Sequence, residues 1–465
     1  MLTTLVNDVH SGLNPTRVKG ILKVKSLEDL RRMIKAAAVR DDVLCVAGGR
    51  YAMGGQQFAT GGLMADLVEM KRVLAFDPDA GLIEVEAGIQ WPELIRCYQH
   101  LQEGRSRRWG IAQKQTGADR LTLGGALSAN SHGRGLAMKP IIQDVESFRL
   151  VNCDGEVVTC SRQENSELFR SAIGGYGLFG VIASVTLRLI PRVPVRRSVE
   201  LLVIDDMPEA FERRITEGYL YGDFQFAIEN ASPDFLRKGV FSAYRPVDPA
   251  PEVPPVAHEL SLEDWRELAY LAHTDKRAAF RVYTSHYLAT DGQLYWSDTH
   301  QLSPYIENYH APLNARLATR EAGSEIITEL YVPRDSLIPF MNDVRNDFRK
   351  HAIDLVYGTI RLIERDSESF LPWAKEAYSC VVFNLHTPHN PEGLERSARA
   401  NRHLIDLALV RHGSYSLTYH RFATKTQIEA AYPRFSDFLR LKKHLDPRER
   451  FQSDWYRHYK GMFDL

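Results

Sequence analysis

The sequence predicts an α+β fold made of two domains and a C-terminal segment. A chain of 465 residues is too long for one hydrophobic core. Residues 20–190 alternate between short strands and helices around two glycine-rich loops, whereas residues 193–413 change to longer strands and helices. We therefore divide the chain at residues 1–192, 193–413 and 414–465.

The composition indicates an ordinary globular protein. Hydrophobic residues make up 44% of the chain and charged residues 25%, and the formal net charge is −1. Such a balance provides no field that attracts polyanions, so we expect no nucleic-acid partner. The first 14 residues lack the pattern of a signal peptide, and no stretch reaches the ~18 apolar residues that cross a bilayer. We expect a cytoplasmic protein without an integral membrane segment; the oligomeric state is left open.

Five cysteines are scattered through the chain, which fits reduced thiols better than a disulfide framework or a zinc site. His386, His389 and His412 lack the helical i, i+4 spacing of a metal motif. We therefore expect no metal.

The N-terminal elements follow from periodicity and turn signals. Ser26 and Asp29 look like a helix-starting cap. The predicted elements are strands over residues 21–25 and 43–47, a helix over 27–39, a hairpin over 73–76 and 82–86, a helix over 91–101, an irregular stretch over 116–135, a hairpin over 145–151 and 156–160, a helix over 166–173 and a strand over 180–190.

The middle region is predicted to form a sheet flanked by helices. Its elements are a strand over residues 326–332, a helix over 335–349, strands over 356–363 and 380–386, and a helix over 394–410. The prolines within residues 249–255 predict an extended surface connection. A helix over residues 427–441 is expected in the C-terminal segment.

Two glycine-rich loops are the most informative feature of the sequence. Residues 47–56 read Ala-Gly-Gly-Arg-Tyr-Ala-Met-Gly-Gly-Gln and follow a strand directly, and residues 116–135 contain five glycines among small polar residues. Exposed main-chain N–H groups in such turns bind phosphate oxygens, and small residues let a flat ligand approach the backbone. Neither loop has the spacing of a Rossmann domain or a P-loop. The loops indicate a dinucleotide, with the second loop suited to the edge of an isoalloxazine ring.

These loops resemble those of the vanillyl-alcohol-oxidase, or PCMH-type, FAD family. The first is similar to its pyrophosphate loop, and residues 123–135 are similar to its second flavin loop. Residues 177–187 are similar to its closing segment, so three motifs occur in the family's order. Within the family, the chain is most similar to the sugar-directed branch, which contains alditol and aldonolactone oxidases and decaprenylphosphoryl-ribose oxidase.

The resemblance implies a PCMH-type FAD-binding domain in two parts, completed by the C-terminal segment, and a substrate (cap) domain whose antiparallel sheet, flanked by helices, covers the flavin. The residues that it assigns to FAD are Ala47, Gly48, Gly49, Arg50, Tyr51, Ala52, Met53, Gly54 and Gln56 in the first loop, Thr116, Gly117, Asp119, Thr122, Gly124, Gly125, Ser128, Asn130, His132 and Gly133 in the second, and Gly180, Val181 and Ile182 beyond them.

One departure from the family concerns covalent attachment. Many relatives carry a histidine in the first loop that bonds to the flavin, and this chain has Arg50 and Tyr51 there. We expect non-covalent FAD, with a tyrosyl link through Tyr51 as the alternative.

Candidate catalytic residues come from the predicted cap strands. Residues two apart share a face of a strand, so Glu329 with Tyr331 and Asn384 with His386 form two polar pairs that could face one cavity. The competing interpretations are a solvated cross-strand pairing for Glu329 with Tyr331 and a satisfied structural pair for Asn384 with His386. Glu329-x-Tyr331 resembles the Glu-x-Arg motif of alditol oxidases, and Arg361 or His420 could supply the missing positive charge. We expect His420 near flavin N1 or the substrate hydroxyl.

The expected activity is hydride transfer to flavin N5 from an alcohol carbon of a sugar, polyol or glycosyl intermediate, with O2 or another acceptor taking the electrons. A nicotinamide-dependent reductase and a flavin-binding protein without catalysis are the two alternatives. Anaerobic bleaching by polyols or by a nicotinamide distinguishes them.

Overall fold

A computed structural model of the chain describes residues 3–249, 251–254, 258–303, 306 and 308–464. Its N-terminal half, up to Pro191, contains several small sheets. The strands are Thr4–Val6 (β1), Thr16–Val18 (β2), Gly20–Lys23 (β3), Leu44–Ala47 (β4), Leu63–Asp66 (β5), Val73–Asp77 (β6), Leu82–Glu86 (β7), Trp109–Gly110 (β8), Val145–Val151 (β9), Val157–Ser161 (β10), Val181–Arg188 (β11) and Ile190–Pro191 (β12). The helices are Leu27–Arg40 (α1), Trp91–Leu101 (α2), Leu123–Ser128 (α3) and Ser166–Ala172 (α4).

Two sheets organise this half. Strands β3, β5 and β4 pair in parallel in that order, so the first glycine loop leaves the carboxyl end of β4. An antiparallel sheet of order β10-β9-β11-β7-β6 lies beside them and encloses a separate apolar core with α2 and α3. The Ser26 hydroxyl accepts the Asp29 N–H and caps α1, as predicted.

The middle region is built on one large antiparallel sheet. Its strands are Pro194–Val203 (β13), Tyr221–Phe226 (β14), Lys238–Pro246 (β15), Leu294–Trp296 (β16), Gly323–Pro333 (β17), Leu355–Ile363 (β18) and Tyr378–Pro388 (β19). The helices are Met207–Thr216 (α5), Leu262–Thr274 (α6), Lys276–Ala289 (α7), His310–Arg316 (α8), Leu337–Lys350 (α9) and Pro391–Leu409 (α10). Among the described residues the strand order is β16-β13-β15-β14-β18-β19-β17, and β20 of the C-terminal segment continues it beside β17.

The C-terminal segment joins both halves. Ser414–Tyr415 (β20) pairs with β17, and three helices follow: Lys425–Ala431 (α11), Phe435–Leu445 (α12) and Asp454–Met462 (α13). The chain then returns to the N-terminal half, where Leu44 accepts from Gln452 and donates to Arg450 through main-chain hydrogen bonds of 2.9 and 2.7 Å. The segment therefore covers β4 directly before the first glycine loop.

Two predicted elements differ from the structure. The stretch over residues 116–135 is not wholly irregular, because Thr122 caps the short helix α3 by accepting the Gly125 N–H. The helix predicted over residues 427–441 is divided between α11 and α12, because Pro433 lacks an N–H and its ring disfavours a helical conformation of Tyr432.

The connections in the middle region are less regular. Residues 249, 251–254 lie outside helices and strands, and residues 250 and 255 of the proline-rich stretch lie outside the described residues. Helices α6 and α7 follow this stretch and were not predicted. No helix within the described ranges is long and apolar enough to cross a bilayer.

Candidate functional site

A cavity of about 750 Å³ lies between the glycine loops and one face of the large antiparallel sheet of the middle region, which we call the cap sheet. Most residues assigned to the dinucleotide border it. They are Gly48, Gly49, Arg50, Tyr51, Ala52, Gln56, Thr116, Gly117, Thr122, Gly124, Gly125, Ser128, Asn130, His132, Gly180, Val181 and Ile182. Both loops and the closing segment therefore meet at one site, as the family resemblance implied.

Four other assigned residues hold the first loop or the second in place without bordering the cavity. Ala47 ends β4. The Met53 carbonyl accepts from Asn14 at 2.7 Å, and the Gly54 N–H donates to the Thr418 carbonyl at 3.0 Å. The Gly133 N–H donates to the Gln113 side chain at 3.2 Å. These positions shape the loops through their backbones.

Asp119 also lies away from the cavity wall. Its carboxylate forms an ion pair of 2.6 Å with the buried Lys114 ammonium and accepts the Ser303 N–H at 2.9 Å. Asp119 therefore connects the second loop to the cap, and the expectation that it contacts the cofactor does not match its position.

The two glycine loops touch each other without room for side chains. A Cβ atom on Gly48 would lie 2.1 Å from Thr122 Oγ1, and one on Gly49 would lie 2.4 Å from the Arg120 carbonyl oxygen. Real carbon atoms do not approach so closely, so only glycine allows the loops to close on each other. The resulting backbone cradle fits an extended dinucleotide that spans both loops.

The cap strands contribute a polar face to the opposite wall. Glu329 and Tyr331 on β17, Arg361 on β18 and Asn384 on β19 all border the cavity. Register explains their proximity: Cys380 lies opposite both Tyr331 and Arg361, and Val382 lies opposite Glu329. Side chains on the same face of adjacent strands are neighbours.

Glu329 and His132 join the two walls. The Glu329 carboxylate is 2.8 Å from His132 Nε2 and accepts the Tyr331 hydroxyl at 3.0 Å. His132 Nδ1 is 2.9 Å from the Gly133 carbonyl oxygen, so both ring nitrogens face acceptors. Burial by itself would raise the pKa of Glu329, but the contacts with His132, Arg361 and Tyr331 outweigh it and hold the pKa below its usual value.

Arg361 and Asn384 present unused hydrogen-bonding capacity to the cavity. Arg361 is 7% exposed, and its Nε has no hydrogen-bond partner in the part of the chain that the structure describes. Within the same residues, the buried Oδ1 of Asn384 also lacks a partner. Buried polar atoms are normally paired, so these two atoms mark a place where a ligand completes the site.

His420 does not border the cavity. Its ring is 3% exposed, Nδ1 accepts the Phe422 N–H at 3.4 Å, and Nε2 lies 3.3 Å from Thr328 Oγ1. Burial lowers the pKa of His420 to about 3, which keeps the ring neutral. This position differs from the expected one near flavin N1, because the tail turns the ring away to stack on Tyr415 and Phe422.

His386 does not border the cavity either. It shares a sheet face with Asn384 but lies nearer the end of β19, where its Nδ1 is 3.5 Å from the Glu325 carboxylate. The strand carries the two side chains on one face, as expected, but the cavity ends between them.

Several cavity residues were missed by the sequence analysis. Arg197, Asp223 and Tyr244 lie on β13, β14 and β15, and His300 precedes α8. Arg134 lies inside the second loop but was not among the residues assigned to FAD. The alternation within residues 194–203 could have predicted β13, but nothing in the sequence shows that strands so far apart share one face.

Comparisons with known proteins agree with the geometry. Residues 18–161 match the family model described as an FAD binding domain. L-gulonolactone oxidase of Bos taurus is 29% identical over 168 residues, covering 36% of each chain. L-galactono-1,4-lactone dehydrogenase, mitochondrial, of Brassica oleracea is 24% identical over 226 residues, covering 47% of this chain and 36% of that protein. L-gulono-1,4-lactone dehydrogenase of Mycobacterium tuberculosis (strain CDC 1551 / Oshkosh) is 22% identical over 453 residues, covering 95% and 96%.

These relatives confirm the predicted resemblance to the sugar-directed, PCMH-type branch, and FAD is the cofactor. The chain matches only 36% of the length of the first two of these relatives. The family model, residues 18–161, covers the region that contains both glycine loops.

Proposed function

We propose that this protein is an FAD-dependent oxidoreductase that oxidises an alcohol carbon of a sugar, polyol or glycosyl intermediate. The observation that supports this function best is the 2.8 Å contact between His132 Nε2 and the Glu329 carboxylate, which joins the cofactor loops to the cap face inside one cavity. The related lactone oxidases and dehydrogenases support a sugar-like substrate. When bound, the flavin supplies the acceptor for a hydride.

Glu329 is the acceptor for the alcohol proton in this proposal. The reaction removes a hydride from carbon and a proton from the hydroxyl oxygen, so an ionised group must face that hydroxyl. Glu329 borders the cavity and stays ionised because its pKa is held low by His132. His132 and Tyr331 fix both carboxylate oxygens in place, which orients the remaining lone pairs.

The other polar residues on this wall position charge and substrate. Arg361 borders the same cavity and carries the unpartnered Nε, so it supplies positive charge where the reduced cofactor gains negative charge. Asn384, with its unpartnered Oδ1, accepts a second substrate hydroxyl. Electrons then leave to O2 or to another acceptor, and FAD is held without a histidyl bond because Tyr51 occupies that position in the first loop.

An anaerobic reduction experiment tests this function. The purified holoenzyme is mixed with a panel of polyols, aldoses and aldonolactones and, separately, with NADH and NADPH, and the flavin absorbance is followed. We expect bleaching by at least one neutral or charged sugar compound and none by nicotinamides. Rapid bleaching by a nicotinamide alone would show a reductase, and no bleaching by either panel would show a flavin-binding protein without this activity. Acid precipitation of the same sample should release the flavin into the supernatant.

A further inference from the structure

A buried arginine beside the proposed substrate space lacks a counter-charge. Arg197 on β13 is 6% exposed and borders the cavity, and its Nε has no hydrogen-bond partner among the residues that the structure describes. Within the part of the chain that the structure describes, its other guanidinium nitrogens donate only to hydroxyls, to Ser242 at 3.3 Å and to Tyr295 at 3.5 Å. No carboxylate within the described ranges forms an ion pair with it. The guanidinium instead lies 4.3 Å from the centre of the Tyr287 ring.

A second buried arginine lies close to the first. Arg134 and Arg197 are 5.0 and 5.3 Å from the centre of one ring, that of Tyr244, which places both guanidinium groups around it. Arg134 pairs with Asp223 at 3.3 Å and donates to the His300 carbonyl at 2.6 Å. The carboxylate of Asp223 therefore pairs with one of the two buried cations, and an excess positive charge remains at the wall.

Burying an unpaired charge is costly, and a guanidinium in such a position is normally paired with an anion. We propose that Arg134 and Arg197 bind an anionic group of the substrate, a carboxylate or a phosphate. The planar fork of arginine matches both groups with two parallel hydrogen bonds, and the unpartnered Nε of Arg197 provides one of them. This inference rests on the proposed function and narrows its substrate to acidic or phosphorylated sugars.

Titration of the holoenzyme with inorganic phosphate and, separately, with acetate tests this subsite without any turnover. Binding is read from the flavin spectrum and from the thermal midpoint, in the wild type and in Arg197→Met. The control is Arg196→Met, since Arg196 is exposed and adjacent on the same strand. We expect binding of at least one anion that is about 10- to 100-fold weaker in Arg197→Met and unchanged in Arg196→Met.

A response to phosphate alone assigns a phosphorylated substrate, and a response to acetate alone assigns a sugar acid. Equal binding in both variants, or no binding of either anion by the wild type, overturns the subsite. The outcomes distinguish the failure of each proposal. If neutral polyols bleach the flavin while no anion binds, only the anion subsite is excluded. Anion binding that depends on Arg197, with no substrate able to bleach the flavin, would remove only the oxidase function.

A different observation, beyond the end of the cavity, concerns the carboxylate of Glu325. This side chain on β17 is 2% exposed and is surrounded by three imidazoles. His273 Nε2 at the end of α6 is 3.3 Å from its Oε1, and His386 Nδ1 on β19 is 3.5 Å from the same oxygen. His310 Nδ1 at the start of α8 is 3.1 Å from Oε2. Four separate elements thus converge on one carboxylate.

The other oxygen of Glu325 has partners of its own. Oε2 accepts a hydrogen bond from the Tyr309 hydroxyl and lies 3.1 Å from His310 Nδ1, and His310 Nε2 lies 2.7 Å from the His10 carbonyl oxygen. Oε1 therefore faces the imidazoles of His273 and His386.

The distances also fit metal ligands better than hydrogen bonds. Charge-assisted hydrogen bonds are about 2.7–2.9 Å long, whereas ligand atoms of a tetrahedral zinc site with bonds of about 2.0–2.1 Å lie about 3.3–3.4 Å apart. The ligand atoms of His273, Glu325 and His386 all lie within 4.8 Å of one another. We infer that these three residues bind a divalent transition metal, best matched by zinc, while His310 lies against the other carboxylate oxygen. Such an ion ties α6 to the cap sheet.

Metal analysis of tag-free holoenzyme tests the site. The protein is dialysed against a chelator, incubated with zinc, passed through a desalting column and analysed for bound metal and for its thermal midpoint. We expect one zinc per chain and a higher midpoint in the wild type, and loss of both in His273→Ala and Glu325→Gln. His403→Ala is the matched control, because His403 also lies beside a carboxylate, 3.2 Å from Asp347, and should retain the zinc.

Wild-type protein that holds no zinc after this treatment, or variants that hold as much as the wild type, would overturn the site. The first outcome would show that protons alone bridge the imidazoles and Glu325. Because that measurement needs only the wild type, it remains decisive even where a variant fails to fold.

Discussion

The two walls of the cavity use different chemistry to bind their ligands. The N-terminal wall is built from main-chain groups in two glycine loops that touch each other at Gly48 and Gly49. The cap wall is built from side chains on separate strands, among them Glu329, Arg361 and Arg197. At the contact between the loops, no residue larger than glycine fits. On the cap wall, a single substitution can change which ligand is bound. The family model matches residues 18–161, which contain the backbone wall.

The largest expected effect comes from adding one methyl group to the backbone wall. In Gly49→Ala, the new Cβ would lie 2.4 Å from the Arg120 carbonyl oxygen, so the two loops must separate. Overpacking of this kind costs about 1–3 kcal/mol, which corresponds to FAD binding weakened about 10- to 100-fold. The flavin content after gel filtration and the FAD dissociation constant measure this loss.

Gly461→Ala is the control for this prediction. Outside its own helix, a Cβ at Gly461 in α13 meets no atom of the described residues within 4 Å, so the variant should stay yellow. Full flavin content in Gly49→Ala would show that the loops do not need close contact to hold FAD, and the contrast between the two walls would lose its main support.

The same contrast decides what the sequence could predict. Glycine loops combine a local pattern with a strict backbone requirement, so the cofactor cradle was recognisable from residues 47–56 and 116–135 alone. Glu329, Tyr331 and Asn384 were found because the two-residue period of a strand is also local. Arg197 was missed because it reaches the site through the order β13-β15-β14-β18, which depends on tertiary pairing.

The positions of the His386 and His420 rings could not be predicted from the sequence either. His386 shares a face with Asn384 but contacts Glu325, since helices α6 and α8 converge there. His420 follows β20 in a segment where no periodicity indicates which way a side chain points. In both cases, packing of distant elements decides the environment.

On the cap wall, Glu329→Gln removes the proposed proton acceptor. The amide preserves size but cannot take a proton, so flavin reduction should slow about 100-fold or more, while FAD content stays unchanged. Because the pKa of Glu329 is held below its usual value, the wild-type carboxylate stays ionised and its reduction rate should not fall until the pH drops below about 4.5. Anaerobic stopped-flow measurements across pH check both expectations.

Glu395→Gln is a suitable control for the loss of a carboxylate, because Glu395 lies on the outer helix α10 in an exposed ion pair with Arg402. An unchanged reduction rate in Glu329→Gln would exclude Glu329 as the proton acceptor. A loss of flavin in that variant would instead show that Glu329 helps to hold FAD, through its contact with His132 in the second loop.

The smallest effect concerns His420, which the structure places in neither wall. Its pKa in the folded protein is about 3, below the ordinary value of 6.5, so protons bind more readily to the unfolded chain. The stability that the neutral ring provides is complete above pH 6.5 and is lost as the pH falls, by about 2 kcal/mol between pH 7 and pH 5. His420→Asn retains an acceptor for the Phe422 N–H but does not titrate, so chemical denaturation should show a shallower loss of stability over this range.

Flavin reduction in the variant should change less than about twofold, because the ring contacts Thr328, Tyr415 and Phe422 and not the cavity. A large drop in that rate, with the same dependence of stability on pH as the wild type, would return His420 to the chemistry, beside Ser416, Thr418 and Tyr419 of the same segment, which border the cavity.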